Sequence, residues 1–358
     1  MSIQDLIRDD LKNFKHYVCA RDEDGGQEKV LLNANESPWE YSQNLEVVLN
    51  RYPQKQPTQL IPKLAELFQV QADQLMMLRG SDEGIDLLLR LFCTAREDAI
   101  MLCPPTFGMY AVGAALQGAE VIEVPITKAG NYQINFDELL LKWTPKVKMI
   151  FLCSPNNPTG NLLNPPDILK LCKELAGKSI VVVDEAYIEF CDQESMASYI
   201  NQYDNLVVLR TFSKVYGMAG ARCGFLIAAN EIIDWVKKIV TPYPLSTMVI
   251  EVVHQALAPE RLQQVHTNTL ILQAEREKLY TELPKLSFVK KVWPSAANYI
   301  LLEVTDANGL CQYCDEQGFV IRNMHNKPEL ENCVRITVGK PEQNQMLLST
   351  LNTYKSSL

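Results

Sequence analysis

The sequence predicts an α/β protein: a large domain with a mainly parallel, seven-stranded sheet between helices, followed by a smaller α+β domain. Three observations predict it. Short apolar runs alternate with helical patterns up to about residue 230. Several of these runs, such as Ile180-Val181-Val182-Val183, are apolar throughout, as strands covered on both faces must be. Clusters of polar residues follow the ends of the runs, where open α/β sheets place their ligands.

In chain order, the candidate strands are 75–78, 99–103, 121–124, 149–153, 180–183, 206–209 and 224–228. Helical patterns lie between them, for example at 85–92 and 167–176. Thr241-Pro242-Tyr243-Pro244-Leu245-Ser246 carries two prolines that interrupt a helical pattern, which marks a domain boundary. The expected units are an N-terminal arm at 1–35, a large domain at 36–240 and a small C-terminal domain at 241–358. Within the last, 248–282 reads as helical and charged, and 297–304, 320–322 and 334–338 read as strands. The acidic, glycine-containing run at 21–26 reads as a loop tip.

Composition narrows the function. Hydrophobic residues make up 47% and charged residues 22% of the 358, the balance of a soluble protein with a substantial core. A formal net charge of -9 excludes global attraction to nucleic acid or an anionic membrane, so an anionic substrate needs a local basic pocket. No apolar run reaches the roughly 18 residues of a membrane span. The polar, acidic start at 1–10 is not a signal peptide, so a cytoplasmic location is expected. The ten cysteines fall mostly in apolar stretches, as reduced core residues do. Cys311 and Cys314 have CxxC spacing, with His325 and Cys333 downstream, but a second tight pair is lacking. Leu310, Cys314 and Phe319 instead fit an amphipathic helix and its exit, so no metal is expected.

The chemistry is concentrated after the strands. Lys214, in Thr211-Phe212-Ser213-Lys214, follows an apolar run and precedes Gly217 and Gly220, which let the backbone pass close to a ligand. A lysine amine condenses with an aldehyde. Asp184 ends a buried run, where a carboxylate is costly unless paired; a protonated ring nitrogen is a fitting partner, and capping the next turn is the plainer role. Asn157, in Ser-Pro-Asn-Asn-Pro-Thr-Gly, presents an amide from a turn. Tyr187, three residues past Asp184, is spaced to face the same ring. Ser213 and Arg222 suit a phosphate. Gly80-Ser81-Asp82-Glu83-Gly84 lies between a strand and a helix, where backbone N–H groups bind phosphate and acidic side chains also suit the helix start. Phe107 stacks on a flat ring or belongs to the core. Arg322 and Arg335 either form surface ion pairs or converge on a carboxylate or phosphate ester. Lysine, aspartate, asparagine, tyrosine and arginine in this order suit one cofactor, pyridoxal 5'-phosphate (PLP).

With these residues in place, the chain resembles the fold-type I, PLP-dependent aminotransferases over nearly its whole length. Within them it is most similar to the histidinol-phosphate aminotransferase family. The lysine segment is shared widely, whereas Asn33-Ala34-Asn35-Glu36, Arg51-Tyr52-Pro53 and Arg335-Ile336-Thr337-Val338-Gly339 are selective. The resemblance implies that Lys214 holds PLP and then shuttles protons. It implies that Asp184 pairs with the ring nitrogen, and that Asn157 and Tyr187 bind the ring oxygen. Ser81, Asp82 and Glu83 at the helix start, with Ser213 and Arg222, are implied for the phosphate, and Phe107 for stacking on the ring. Many relatives carry Tyr at that position. Tyr52 is implied to reach the neighbouring subunit's cofactor, which makes the active unit a homodimer. Tyr17, Asn35, Arg322 and Arg335 are implied to line the substrate pocket. The implied reaction is ping-pong transamination of L-histidinol phosphate with 2-oxoglutarate. One pocket must then accept a phosphate ester and a dicarboxylate, and paired arginines read both kinds of oxygen.

Three alternatives stay open at this point. An aromatic amino acid aminotransferase has the same fold. A PLP-dependent decarboxylase of a phosphorylated amino acid uses the same cofactor set but needs no oxo acid. A regulator that has lost catalysis would show no cofactor absorbance, and the intact Lys214, Asp184 and Tyr187 argue against it.

Overall fold

The computed structural model describes residues 3–20, 32–41 and 47–355. The loop tip expected at 21–26 lies outside the described residues.

All seven apolar runs become strands of one sheet, each within two residues of the expected ends. They are β1 (Leu75–Leu78), β2 (Ala99–Leu102), β3 (Glu120–Glu123), β4 (Val147–Cys153), β5 (Ile180–Asp184), β6 (Leu206–Thr211) and β7 (Gly224–Ala228). Their order across the sheet is β1-β7-β6-β5-β4-β2-β3. Strand β7 is antiparallel to both neighbours, and every other pair is parallel. Helices α1 (Ile3–Leu6), α2 (Ile61–Phe68), α3 (Ser81–Phe92), α4 (Met109–Gln117), α5 (Phe136–Lys142), α6 (Pro165–Glu174) and α7 (Asn230–Ile239) accompany it.

The period of two explains the layering. Val181 and Val183 of β5 face a core with Leu64 of α2 and Leu171 of α6. Ile180 and Val182 face the opposite core, with Leu88 of α3, Tyr110 of α4 and Ile233 of α7. Burying each such valine or isoleucine stabilises the fold by about 1.5–3 kcal/mol. With both faces covered, the strand ends are where polar groups can gather.

Helix α3 starts at Ser81, four residues before the periodic pattern at 85. Gly80, at φ +82°, turns the chain out of β1. Asp82 and Glu83 then fill the first turn, where acidic side chains complement the helix dipole but add no apolar period.

The C-terminal part begins with α8 (Thr247–Ala256) and α9 (Pro259–Glu282). The expected helical stretch is split because Pro259 opens α9 and has no N–H to continue α8. Leu245, Ile250, Val253 and Leu257 still pack into the large sheet's core. Next come β8 (Val289–Val292), β9 (Tyr299–Val304), α10 (Ala307–Glu316), β10 (Arg322–Asn323), β11 (Cys333–Thr337) and α11 (Pro341–Thr353). The strands form an antiparallel sheet in the order β10-β11-β9-β8. The strand expected at 320–322 moves to Arg322–Asn323: Val320 is 89% exposed, and pairing with β11 starts at Arg322. Cys314 is buried in this sheet's core, and the Phe319 N–H bonds its carbonyl at the exit of α10.

Candidate active site

The carboxyl ends of β4, β5 and β6, with the start of α3, surround a cavity of about 240 Å³. Ten of the residues singled out in the sequence line it. Asn157 comes from the loop after β4, Asp184 and Tyr187 from the end of β5, and Ser213 and Lys214 from the turn after β6. Ser81 and Asp82 open α3, Arg222 precedes β7, Phe107 precedes α4, and Arg335 reaches in from β11.

At one end the groups suit a phosphate. The Arg222 guanidinium lies 3.5 Å from Ser213 Oγ and donates to Asp82 Oδ2 at 3.0 Å. Both partners of that ion pair are about half exposed, so the pair is weak and open to a competing anion. Two glycines make the approach possible. A Cβ on Gly80 would sit 2.8 Å from the Arg222 guanidinium, and one on Gly224 would sit 2.3 Å from the backbone at Gly80 and Ser81. Strand β7 and the N-terminus of α3 therefore meet backbone to backbone. Thr211 Oγ1, also on the lining, accepts from the Ser213 N–H at 3.1 Å and donates to Ser213 Oγ at 3.0 Å.

The other end suits a nitrogen heterocycle. Asp184 is 3% exposed. Its carboxylate accepts from Tyr110 Oη at 2.7 Å and from the Ala186 N–H at 3.0 Å. Among the described residues no cationic side chain forms an ion pair with it. Burial pushes its pKa up, opposed first by the Tyr110 hydrogen bond. A buried carboxylate with no ion-paired cation, on which the Lys214 charge acts only as a weaker cause, fits a protonated ring nitrogen. Asn157 Nδ2 lies 3.4 Å from Tyr187 Oη, so an amide and a phenol converge where a ring oxygen would sit.

Lys214 stands between the two ends, its ammonium 5.3 Å from the centre of the Tyr187 ring. It is reached by solvent through the cavity mouth, yet the walls are close enough that burial is the first cause lowering its pKa. The Arg335 charge is the second cause. Both enlarge the neutral, nucleophilic fraction of the amine. Arg335 donates from Nη1 to Asn157 Oδ1, and its Nε is buried with no hydrogen-bond partner.

Residues 23–351 match the family Aminotransferase class I and II. The chain belongs to this family. Its cofactor is PLP, and the donor set just described fits it: a basic phosphate cradle, an amine, an amide–phenol pair and a buried carboxylate. The aminotransferase is 42% identical over 352 residues to the histidinol-phosphate aminotransferase of Escherichia coli (strain SMS-3-5 / SECEC), covering 98% of each chain. Its fold is similar to the crystal structure of the histidinol-phosphate aminotransferase from Clostridium acetobutylicum, with a TM-score of 0.77 and 23% identity over 85% of this chain and 90% of that one. It is also similar to the histidinol-phosphate aminotransferase from Sinorhizobium meliloti in complex with pyridoxal-5'-phosphate, with a TM-score of 0.76 and 20% identity over 84% and 82%.

Five residues singled out in the sequence lie elsewhere. Glu83 turns its carboxylate to the Arg79 guanidinium and backbone N–H. Arg322 is exposed on β10, in register with Arg335. Directly opposed residues share a face of the sheet, so Arg322 projects from the same side as Arg335 without lining the cavity. Asn35 and Tyr52 line a separate groove with Ser246 and Thr247. Tyr17 is exposed on the N-terminal segment. Conversely, Tyr110 and Cys153 belong to the site or its support and escape a reading of motifs, and Thr211, part of the lysine motif, has no role of its own in that reading. Tyr110 has one signal: it closes the segment at 104–110 that carries Phe107 three residues earlier.

Proposed function

We propose that this aminotransferase transfers the amino group of L-histidinol phosphate to 2-oxoglutarate, giving imidazole acetol phosphate and L-glutamate in L-histidine biosynthesis. The observation that carries the substrate reading is Arg335: a guanidinium on the cavity wall with a buried, unpartnered Nε, suited to a phosphate or carboxylate oxygen. The 42% identity to a histidinol-phosphate aminotransferase, over 98% of both chains, supports the same substrate.

When bound, PLP supplies an aldehyde for covalent attachment and an electron-withdrawing ring that stabilises negative charge at the substrate Cα. The chain supplies the rest. Lys214 would hold the cofactor through its aldehyde carbon, and its freed amine would take the proton from the substrate Cα and deliver it to that cofactor carbon. Asp184 holds a proton at the ring nitrogen. Asn157 and Tyr187 orient the ring oxygen, and Phe107 covers a ring face. Ser213, Arg222 and the N–H groups of Ser81 and Asp82 hold the phosphate. Arg335 orients the substrate anion, with Arg322 beside it on the same face of the small sheet.

The active unit in this proposal is a homodimer in which each Tyr52 reaches the partner's cofactor phosphate. Tyr52 is half exposed and stacks on Tyr243 at 4.3 Å. Trp39 and Tyr41 of the same N-terminal stretch are 79% and 85% exposed, and exposed aromatic side chains are favoured at interfaces. The proposed location is the cytoplasm; all ten cysteines are free thiols, as a reducing compartment keeps them. No helix of the described residues is long and apolar enough to cross a membrane.

A single-turnover absorbance experiment tests the reaction. Mixed with L-histidinol phosphate and no oxo acid, the enzyme should convert its cofactor to the amino form, and 2-oxoglutarate should restore the original spectrum. A response to phenylalanine but not to histidinol phosphate would move the enzyme to the aromatic aminotransferases. Release of CO2 from a phosphorylated amino acid, without need of an oxo acid, would make it a decarboxylase.

A further inference from the structure

Asp184 must be ionised to keep a proton on a ring nitrogen, yet its surroundings disfavour the ion. Among the described residues, one side chain donates a hydrogen bond to it: Tyr110, at 2.7 Å. Cys153 lies directly across the β4–β5 pairing but turns its thiol to the Pro155 carbonyl at 3.4 Å. The other titratable groups around Asp184 are Asp82, Tyr187, Lys214 and Tyr299, and none of them hydrogen-bonds it.

Tyr110 is itself held firmly. It is fully buried on α4, stacked on Phe151 of β4 at 4.9 Å and 12°. Its ring meets Phe107 nearly edge-on, at 5.5 Å and 83°. One rigid side chain thus touches both the carboxylate meant for the ring nitrogen and the aromatic meant for the ring face, without lining the cavity.

We propose that Tyr110 is the positioning residue of the cofactor site: its hydroxyl orients Asp184 and keeps it anionic, and its ring sets the tilt of Phe107. This rests on the reading of Asp184 as the ring nitrogen's partner. A neutral donor suits the task, because it stabilises the anion without supplying a cation that would compete with the ring nitrogen for it.

Tyr110→Phe keeps the aromatic stack and removes the hydroxyl. In titrations of the apoenzyme, the PLP dissociation constant should rise about ten-fold. The pH titration of the bound cofactor's visible absorbance should move to higher pH, because a less anionic Asp184 leaves less positive charge on the ring. With a cofactor analogue carrying carbon in place of the ring nitrogen, the ten-fold difference should vanish. Phe151→Leu loosens the stack but keeps the hydroxyl; it should lower thermal stability and leave the absorbance titration in place. A shift equal to that of Tyr110→Phe would assign the effect to packing and overturn the proposal. Asp184→Asn separates the two readings. If it weakens PLP binding while Tyr110→Phe changes neither binding nor titration, Tyr110 has no such role and the Asp184 reading stands. If Asp184→Asn changes neither, both fall. Should Tyr110→Phe not fold, 3-fluorotyrosine at position 110 keeps the shape with a more acidic hydroxyl. The titration should then move to lower pH, and no movement would overturn the proposal.

Discussion

Asp184 and Glu185 are neighbours in sequence at the end of β5, both almost fully buried, and they point to opposite faces of the sheet. Glu185 faces the core beneath α2. There it meets the Arg210 guanidinium at 3.5 Å, the Ser195 hydroxyl and the Met196 N–H at 2.7 Å. Arg210 also pairs with Glu189 at 2.8 Å and lies 4.9 Å from the centre of the Phe68 ring. Asp184 faces the cavity with two neutral donors and, among the described residues, no ion-paired cation, the Lys214 charge being a minor cause. Burial raises the pKa of both carboxyls, and at Glu185 the Arg210 charge is the first opposing cause. A carboxylate that serves the fold brings its counter-charge with it. One that serves a ligand leaves the place open.

The largest effect should come from breaking the structural side. Arg210→Met leaves the buried Glu185 and the partly buried Glu189 without their cation, and breaking a buried pair costs about 3–5 kcal/mol. Denaturant unfolding should show that loss, while PLP affinity measured on the folded protein changes little. Equal loss of cofactor affinity would erase the distinction between the two faces.

Asp184→Asn should act in the opposite sense. The folded pKa of Asp184 is raised above its unfolded value, so the folded state binds more protons between the two. Apoenzyme stability therefore falls as pH rises through that window, and at neutral pH the ion is a net cost. The Asn variant should be as stable as the parent or more so in the apo form at pH 7, yet bind PLP about 10–100-fold more weakly. Thermal melts with and without PLP measure both. A variant destabilised equally in the two states would make Asp184 a second Glu185.

This contrast marks how far the sequence is legible. Asp184, Lys214 and Asn157 are visible because they interrupt or follow runs that only buried strands explain. The sheet is visible for the same reason, since Ile180–Asp184 is buried at every position. The start of α3 is visible through Gly80 and the acidic Asp82 and Glu83, not through the apolar period, which begins only at 85. Tyr110 and Arg210 are not, because their partners lie 74 and 21 residues away and only packing across layers joins them. Tyr52 and Asn35 stand in a groove outside the cavity, where Tyr52 stacks on Tyr243, so packing within one chain gives them no place at the cofactor.

Arg335 carries the comparison from anions to cations. Arg210 is committed to two carboxylates, whereas Arg335 is bonded to an amide oxygen and to no carboxylate; the Nε of each is buried without a hydrogen-bond partner. Arg335→Leu should lower kcat/KM about 10–100-fold for histidinol phosphate and for 2-oxoglutarate alike, with little loss of stability. Each half-reaction can be followed separately by cofactor absorbance. Damage to only one would remove Arg335 as the determinant for both substrates.

The smallest effect, and the sharpest, belongs to Ser195→Ala. The Ser195 hydroxyl donates to Glu185 and accepts from the Ala197 N–H at 3.1 Å, capping a short helical turn. Losing one cap and one of several donors should cost about 1–2 kcal/mol. The pH dependence identifies which part is which. Cap loss is independent of pH. Loss of a donor to the ionised carboxylate raises the folded pKa of Glu185 further, so that part grows as pH rises above the unfolded glutamate range and levels off once Glu185 ionises. Melts of parent and variant between pH 4 and 8 should therefore diverge with rising pH, while the absorbance titration of bound PLP stays in place. A flat difference would mean that Arg210 and the Met196 N–H alone hold the Glu185 charge. A moved cofactor titration would mean that the two faces of β5 are coupled through the strand.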